Sequence, residues 1–371
     1  MADAAKIATE LLGRAGIEVG GTRPCDIQVH DDRLWDRVIK ERELGLGEAY
    51  QDGWWDANQL DEFITKVQTA DLRSMVRPSL GLAVQGAKAA VTNRQTVRRA
   101  KQNASAHYDI GNDLYEAMLD KRMIYSCAYW AGANDLDSAQ EAKLDLICRK
   151  LNLRPGMRLL DIGCGWGGFA QYAAERYDVR VTGISPAAAQ VVVASERTAG
   201  LPVEIRQTDY RKISGRFDRI VSIGMLEHVG SRNYRTFFDR CRSLLAEDGM
   251  MLHHTIGSNE RRANCDPWFD KYIFPGGVLP SLGHIADATA KHWSIEDVHS
   301  FGPYYDRTLM SWHANISARW DDLPSYDERF RRTWDYYLLG SAGSFRARAI
   351  QLWQIVFTRA KRVTPVYASI R

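Results

Sequence analysis

LLDIGCGWGGFA, residues 159–170, is the stretch on which the fold turns. An apolar run ends at Asp161, four glycines follow within six positions (Gly163, Gly165, Gly167 and Gly168), and FAQYAAERY then takes up helical spacing. Glycine accepts positive φ and lets backbone amides come close to a ligand, so this reads as strand, tight turn, helix. The spacing is GxGxGG, which departs from the GxGxxG of dinucleotide sites. Working outward, RLLDIG (158–163), VRVTGI (179–184), VEIRQ (203–207), DRIVSIG (218–224) and MMLHHTI (250–256) are short β-rich runs. Helical patterns such as AAAQVVVASERTAG and NYRTFFDRCRSLLAEDG lie between them. That alternation predicts an α/β fold with a doubly wound, mostly parallel sheet. An aromatic-rich helical region (roughly 305–341) and a last strand candidate, IQLWQIVF, follow.

The 371 residues are 45% hydrophobic and 26% charged, as in globular proteins, which argues against disorder. The net charge of +3 conceals a division. Residues 1–71 hold eight Lys/Arg against fifteen Asp/Glu, a balance of −7, whereas residues 72–108 hold seven Lys/Arg and no acid. We expect a smaller, mainly helical N-terminal module (1–75), a basic linker (76–103) and a catalytic domain (104–371). Within the linker, 79–91 reads as a weak helix. The N-terminus lacks the apolar core of a signal peptide, and no run reaches the ~20 apolar residues of a spanning helix. A cytoplasmic protein with at most peripheral contact to the inner membrane face is expected. Six scattered cysteines form no CxxC pair or Cys/His cluster, so neither a metal site nor a disulfide framework is expected. No nucleic-acid partner is expected either.

Asp161 followed by Gly163-Cys164-Gly165 resembles motif I of class I S-adenosylmethionine-dependent methyltransferases, a Rossmann-like fold. The resemblance implies that the cofactor's amino-acid end lies over the glycine turn. Many such enzymes carry an acid after the second strand for the ribose; here the chain reads Gly183-Ile184-Ser185-Pro186. Ser185 reads as an N-cap with Pro186 at the first helical position. Gln190 is the candidate for the missing ribose hydrogen bond. Asp209 and Tyr210 suit adenine, a carboxylate for the amine and a ring for stacking, although Asp209 also reads as an ordinary loop carboxylate. Tyr108, Tyr125 and Ser126 complete the cofactor set.

A longer series carries a closer resemblance: HYDIGNDLYEAML (107–119), IYSCAYW (124–130), LDIGCGWGG (160–168), GMLEHVG (224–230), HHTIG (253–257), DPWFDKYIFPGG (266–277) and FRARAIQLWQ (345–354), in this order. Together with ELLGRAGI and LGLGEAYQDGWWD near the start, they resemble the bacterial cyclopropane-fatty-acyl-phospholipid synthases, and more distantly the mycolic-acid cyclopropane synthases. The resemblance implies methylene transfer from S-adenosylmethionine to the cis double bond of a phospholipid acyl chain. A carbocation forms, and a bound bicarbonate removes the proton so that the ring closes. The implied bicarbonate site is Cys127, Glu227, His254, the backbone amide of Ile256, and Tyr305. Glu227 suits accepting the bicarbonate O–H, and His254 and Tyr305 suit donating to it. On residues alone, His254 equally reads as a core histidine, and Cys127 as a source of backbone geometry. Tyr125, Tyr129, Trp130, Phe274 and Tyr304 suit a dry acyl slot whose rings stabilise the cation.

Two roles remain open for the N-terminal module: binding lipid or pairing two subunits into a homodimer. The basic linker is the candidate membrane contact, each Lys/Arg near anionic lipid contributing about 1 kcal/mol. A methyl-branched or methylidene lipid product is the alternative chemistry, since it shares the carbocation.

Overall fold

The computed structural model describes residues 2–72, 110–261, 265–361 and 366–371. Elements are numbered here among those residues. The basic linker, the helix expected over 79–91 and Tyr108 lie outside them.

Seven strands form one sheet: β3 (Arg158–Ile162), β4 (Arg180–Ser185), β5 (Val203–Gln207), β6 (Phe217–Ile223), β7 (Leu245–Gly257), β8 (Trp293–Ser300) and β9 (Gln351–Arg359), in the order β5-β4-β3-β6-β7-β9-β8. The first five are parallel, and β9 runs antiparallel between β7 and β8. The chain winds outward from β3 in one direction and from β6 in the other. Their carboxyl ends therefore bound the crevice in which folds of this kind collect ligands. The expected α/β class and the six expected strands are present. β8 was not anticipated, because WSIEDVHS sits at the sheet edge with alternate residues exposed and carries little apolar signal.

Two helices matter most for the site. α6 (Leu136–Lys150) starts at a capping box in which Asp135 accepts from the Ser138 amide at 2.8 Å and buries Gln140 and Lys143 on its inner face. α7 (Gly168–Tyr177) follows the glycine turn, where Gly163, Gly165 and Gly167 all have positive φ. A Cβ on Gly168 would sit 2.3 Å from the Arg122 carbonyl oxygen, so only glycine lets the 120–128 segment lie against that helix. One local expectation is corrected: α8 (Ala188–Arg197) is preceded by Ala187 as N-cap, not Ser185. The Ser185 hydroxyl instead accepts from the Ala187 amide (3.2 Å) and donates to Gln190 Oε1 (3.0 Å), turning the chain one step before the helix.

Residues 2–72 fold as α1 (Ala2–Arg14), α2 (Arg33–Glu41), α3 (Glu43–Gln51) and α4 (Leu60–Thr69), with a two-strand ribbon of β1 (Gln28–Val29) and β2 (Trp55–Asp56). They share one apolar cluster with α12 (Pro303–Ser317) and α13 (Glu328–Arg346), in which Leu34, Trp55, Phe63, Trp312, Trp334 and Phe345 are buried together. Polar ties cross the same seam. Gln51 donates to Thr333 at 2.6 Å, and Arg346 bonds Asp61 (2.7 Å) and both oxygens of Asp306 (2.9 and 3.0 Å). Among the described residues no helix is long and apolar enough to cross a membrane.

Candidate active site

The 3₁₀ turn Leu226–His228 follows β6, and His254 and Ile256 lie near the end of β7. These elements bring Glu227 to the crevice. Its Oε1 accepts from the Ile256 amide at 2.7 Å, while Oε2 is buried without a partner. Burial pushes the carboxyl up to about 7, because the charged form loses its hydration. The Ile256 amide, expected to hold an anion, is thus already donated to Glu227.

His254 is 1% exposed. Gln354 on β9, its neighbour in register, donates from Nε2 to the ring Nδ1 at 3.4 Å, which leaves the proton on Nε2. That Nε2 is buried without an acceptor, and burial holds the ring well below the usual imidazole range, hence neutral. A neutral donor and an acceptor carboxyl, both unsatisfied, therefore stand at one site. His253 points to the other face of the strand, in the core between Phe237 and Phe238.

Cys127 is fully buried, its thiol donating to the Ala128 carbonyl at 3.3 Å and pushed up by burial, so it stays protonated. Tyr305 opens α12, its ring 4.6 Å from Phe345 and 5.9 Å from Trp312. Tyr125 bonds the Tyr337 hydroxyl at 2.6 Å, and the neighbouring Ser126 accepts from Lys143 Nζ at 2.9 Å.

A cavity of about 390 Å³ is lined by Tyr125, Ser126, Glu227, His254, Ile256 and Tyr305, but not by Cys127. Leu11, Trp35, Ile39, Phe63 and Val67 of the first four helices line it as well. Of the aromatic residues expected around an acyl slot, Tyr125 and Phe274 line it. Tyr129 and Tyr304 pack instead with Phe301, and Trp130 donates to Thr308 while Arg307 covers its ring.

At the glycine turn, Asp161 is 1% exposed with Oδ2 unpartnered and is pushed up to about 7 by burial. Gly163 and Cys164 amides donate to the Ile184 carbonyl, closing the turn against β4. Asp209 and Tyr210, expected beside adenine, follow β5. The Asp209 carboxylate is held by Arg211 through two bonds of 2.7 Å, and Tyr210 is buried edge-on to Phe237. Sequence reasoning missed Gln354, Lys143, Tyr337 and the N-terminal wall. A glutamine inside the strand IQLWQIVF was a usable signal for the first; the others lie on ordinary amphipathic helices.

The family described as mycolic acid cyclopropane synthetase matches residues 95–355. The chain is 50% identical over 355 residues to the cyclopropane-fatty-acyl-phospholipid synthase of Escherichia coli K12, covering 95% of this chain and 93% of that one. It is 31% identical over 350 residues to the tuberculostearic acid methyltransferase UfaA1 of Mycobacterium tuberculosis, covering 88% and 82%. Among solved structures it resembles mycolic acid cyclopropane synthase CmaA1 complexed with SAH and CTAB, at 34% identity and a TM-score of 0.65, over 69% of this chain and 97% of that one. The fold is that of the class I S-adenosylmethionine-dependent methyltransferases.

Proposed function

The chain belongs to the mycolic acid cyclopropane synthetase family of S-adenosylmethionine-dependent methyltransferases, and from that membership we propose that it is a cyclopropane-fatty-acyl-phospholipid synthase. Its substrates on this reading are cis-unsaturated phospholipids reached from a membrane surface. The observation that carries the reading is the cavity, lined by apolar residues of the N-terminal helices and also by an unsatisfied carboxyl and an unsatisfied imidazole N–H.

S-adenosylmethionine supplies an electrophilic methyl group, and the alkene that takes it becomes a carbocation needing a dry site and a base. The rings of Tyr305, Phe345, Phe274 and Tyr337 line the cavity, where they would exclude water and stabilise that charge through their π electrons. Bicarbonate is the base we assign. Glu227 Oε2 would accept its O–H and raise its basicity, and His254 Nε2–H would donate to one of its oxygens, whereas the Cys127 thiol is already donated to the Ala128 carbonyl. The buried orphans Glu227 Oε2 and His254 Nε2 fit such an ion in number and in donor–acceptor sense. A neutral His254 donates without competing for the proton being removed.

Peripheral attachment through Arg94, Arg98, Arg99 and Lys101 belongs to the same proposal, as does a homodimer. Replacing those four residues with Gln is expected to weaken co-sedimentation with anionic vesicles and to leave cofactor binding unchanged; unchanged co-sedimentation would remove the linker from the reading. The similarity to UfaA1 over most of the chain favours one second reading, a methyl-branched product from the same carbocation.

The deciding experiment incubates the protein with S-adenosylmethionine and vesicles of cis-unsaturated phospholipid, followed by proton NMR of the acyl chains. Upfield ring protons are expected. Gain of CH₂ without them would establish the branched-lipid reading, and no gain would overturn both.

A further inference from the structure

Lys143 is the least expected group near the cavity. It lies on the inner face of α6 with no exposed surface, and its only hydrogen bond among the described residues is the 2.9 Å donation to Ser126 Oγ. Among the described residues no carboxylate stands within 4.0 Å of its Nζ. An ammonium ion removed from water is costly, and here the carboxylates that offset it, Asp120 and Asp161, stand beyond ion-pair distance, so the fold keeps it against a penalty. Its charged neighbours are few. Asp120 spends its two oxygens on the amides of Ile124 (2.8 Å) and Arg122 (3.0 Å), and Asp161 has Oδ2 unpartnered. Cys127 and His254 also feel its field.

Ser126 is where that charge reaches the cavity. Its hydroxyl oxygen accepts from Lys143, and Gln140, one turn away on α6, donates to its carbonyl at 2.9 Å, so the residue is held from two sides. A hydroxyl that accepts from an ammonium is polarised to donate its own proton, and Ser126 lines the cavity beside Tyr125.

We propose that Lys143 is a positioning residue: it is the buried counter-cation of a carboxylate-type anion, which it binds through the Ser126 hydroxyl. Two anions of that chemistry belong to the proposed reaction, the α-carboxylate of the cofactor's amino-acid end and bicarbonate. The inference rests on the reading of the cavity as the cofactor and base site. Burial holds the Lys143 ammonium down to about 8. An anion arriving next to it draws a proton onto it, adding to the pull of Asp120, Cys127 and Asp161, which already favour the charged form against burial, with the neutral His254 ring also in its field.

The test uses the full chain and three probes: S-adenosylhomocysteine, its analogue lacking the α-carboxylate, and sodium bicarbonate. Calorimetry at about pH 8.5 in two buffers of different ionisation enthalpy gives the protons taken up on binding. If the cofactor carboxylate is the anion, Lys143→Met weakens S-adenosylhomocysteine about 10- to 100-fold, leaves the decarboxylated analogue unchanged and abolishes proton uptake. If bicarbonate is the anion, S-adenosylhomocysteine binds as before and the bicarbonate needed for half-maximal turnover rises by a similar factor. Lys143→Arg, which keeps the charge, restores much of either loss. Equal weakening of both nucleosides with unchanged proton uptake, or no change with any probe, overturns the proposal. Should Lys143→Met not fold, the wild-type chain decides: no proton uptake with either anion overturns it. Wild-type protein that binds no S-adenosylhomocysteine would sink the cofactor-site reading itself, a different failure.

Discussion

Glu227 concentrates the chemistry of the site in one carboxyl group. Replacing it with glutamine keeps the shape and the Ile256 contact but removes the acceptor charge. Glu227→Gln is therefore expected to bind cofactor almost normally and to lose about 10²–10⁴-fold in turnover, measured by steady-state assay on vesicles; a near-wild-type rate would refute its role. The same group has a signature in stability. Its carboxyl ionises at about 7 when folded against 4.5 ordinarily, so below pH 4.5 its protonated form costs the fold nothing. Between pH 4.5 and 7 the unfolded chain is ionised while the folded chain still resists, so about 3 kcal/mol is lost by the time pH has risen through 7. Urea denaturation at pH 4.5 and pH 8 should show the wild type losing that much relative to Glu227→Gln, which does not titrate. A difference independent of pH would contradict the burial argument. At this scale the sequence named Glu227, His254 and Tyr305 because each sits in a distinctive motif after a strand or at a helix start. It did not name Gln354, whose importance comes from facing His254 across β9, a pairing that spacing along the chain does not encode.

α13 shows how an element is positioned by what it lacks. Gly343 faces α4, and a Cβ there would lie 2.5 Å from the Asp61 carbonyl and 3.1 Å from the Thr65 amide, both backbone atoms that cannot turn aside. Gly340, one turn earlier on the same helix, has no such neighbour within 4 Å. Alanine favours a helix over glycine by about 1 kcal/mol, so Gly340→Ala should stabilise by up to that amount. At Gly343 the overpacking penalty of roughly 1–3 kcal/mol offsets and exceeds that gain, and Gly343→Ala should destabilise. Opposite shifts in denaturant midpoint would confirm the close approach; two stabilising substitutions would show that α4 and α13 are farther apart. The elements themselves were legible wherever an internal period carried them. Helices separate β3, β4 and β5, and β6 from β7, and β9 is a largely apolar run interrupted by Gln354. β8 escaped because an edge strand needs only one apolar face, and the end of the turn before α8 was misread because Ser185 bonds to Gln190 instead of capping the helix.

Across the whole chain, the acidic first 71 residues and the sheet domain contribute to one core. The charge boundary describes surfaces, and beneath it Trp55, Phe63, Trp312 and Trp334 share an interior. Thermal or denaturant unfolding followed by tryptophan fluorescence and by far-ultraviolet circular dichroism is expected to give one coincident transition. Separated transitions would mean that the first four helices come away on their own. The cavity has its own consequence at this scale. Its walls take Leu11, Trp35, Phe63 and Val67 from the first four helices and Glu227 and His254 from the sheet domain, so the spacing between the two sets is fixed by how the helices seat on that domain. On the proposed function, an acyl chain held against the helices would be measured off against a fixed length of protein. The protein would then act as a ruler, selecting double bonds by their count of carbons from the held end, whatever head group the lipid carries.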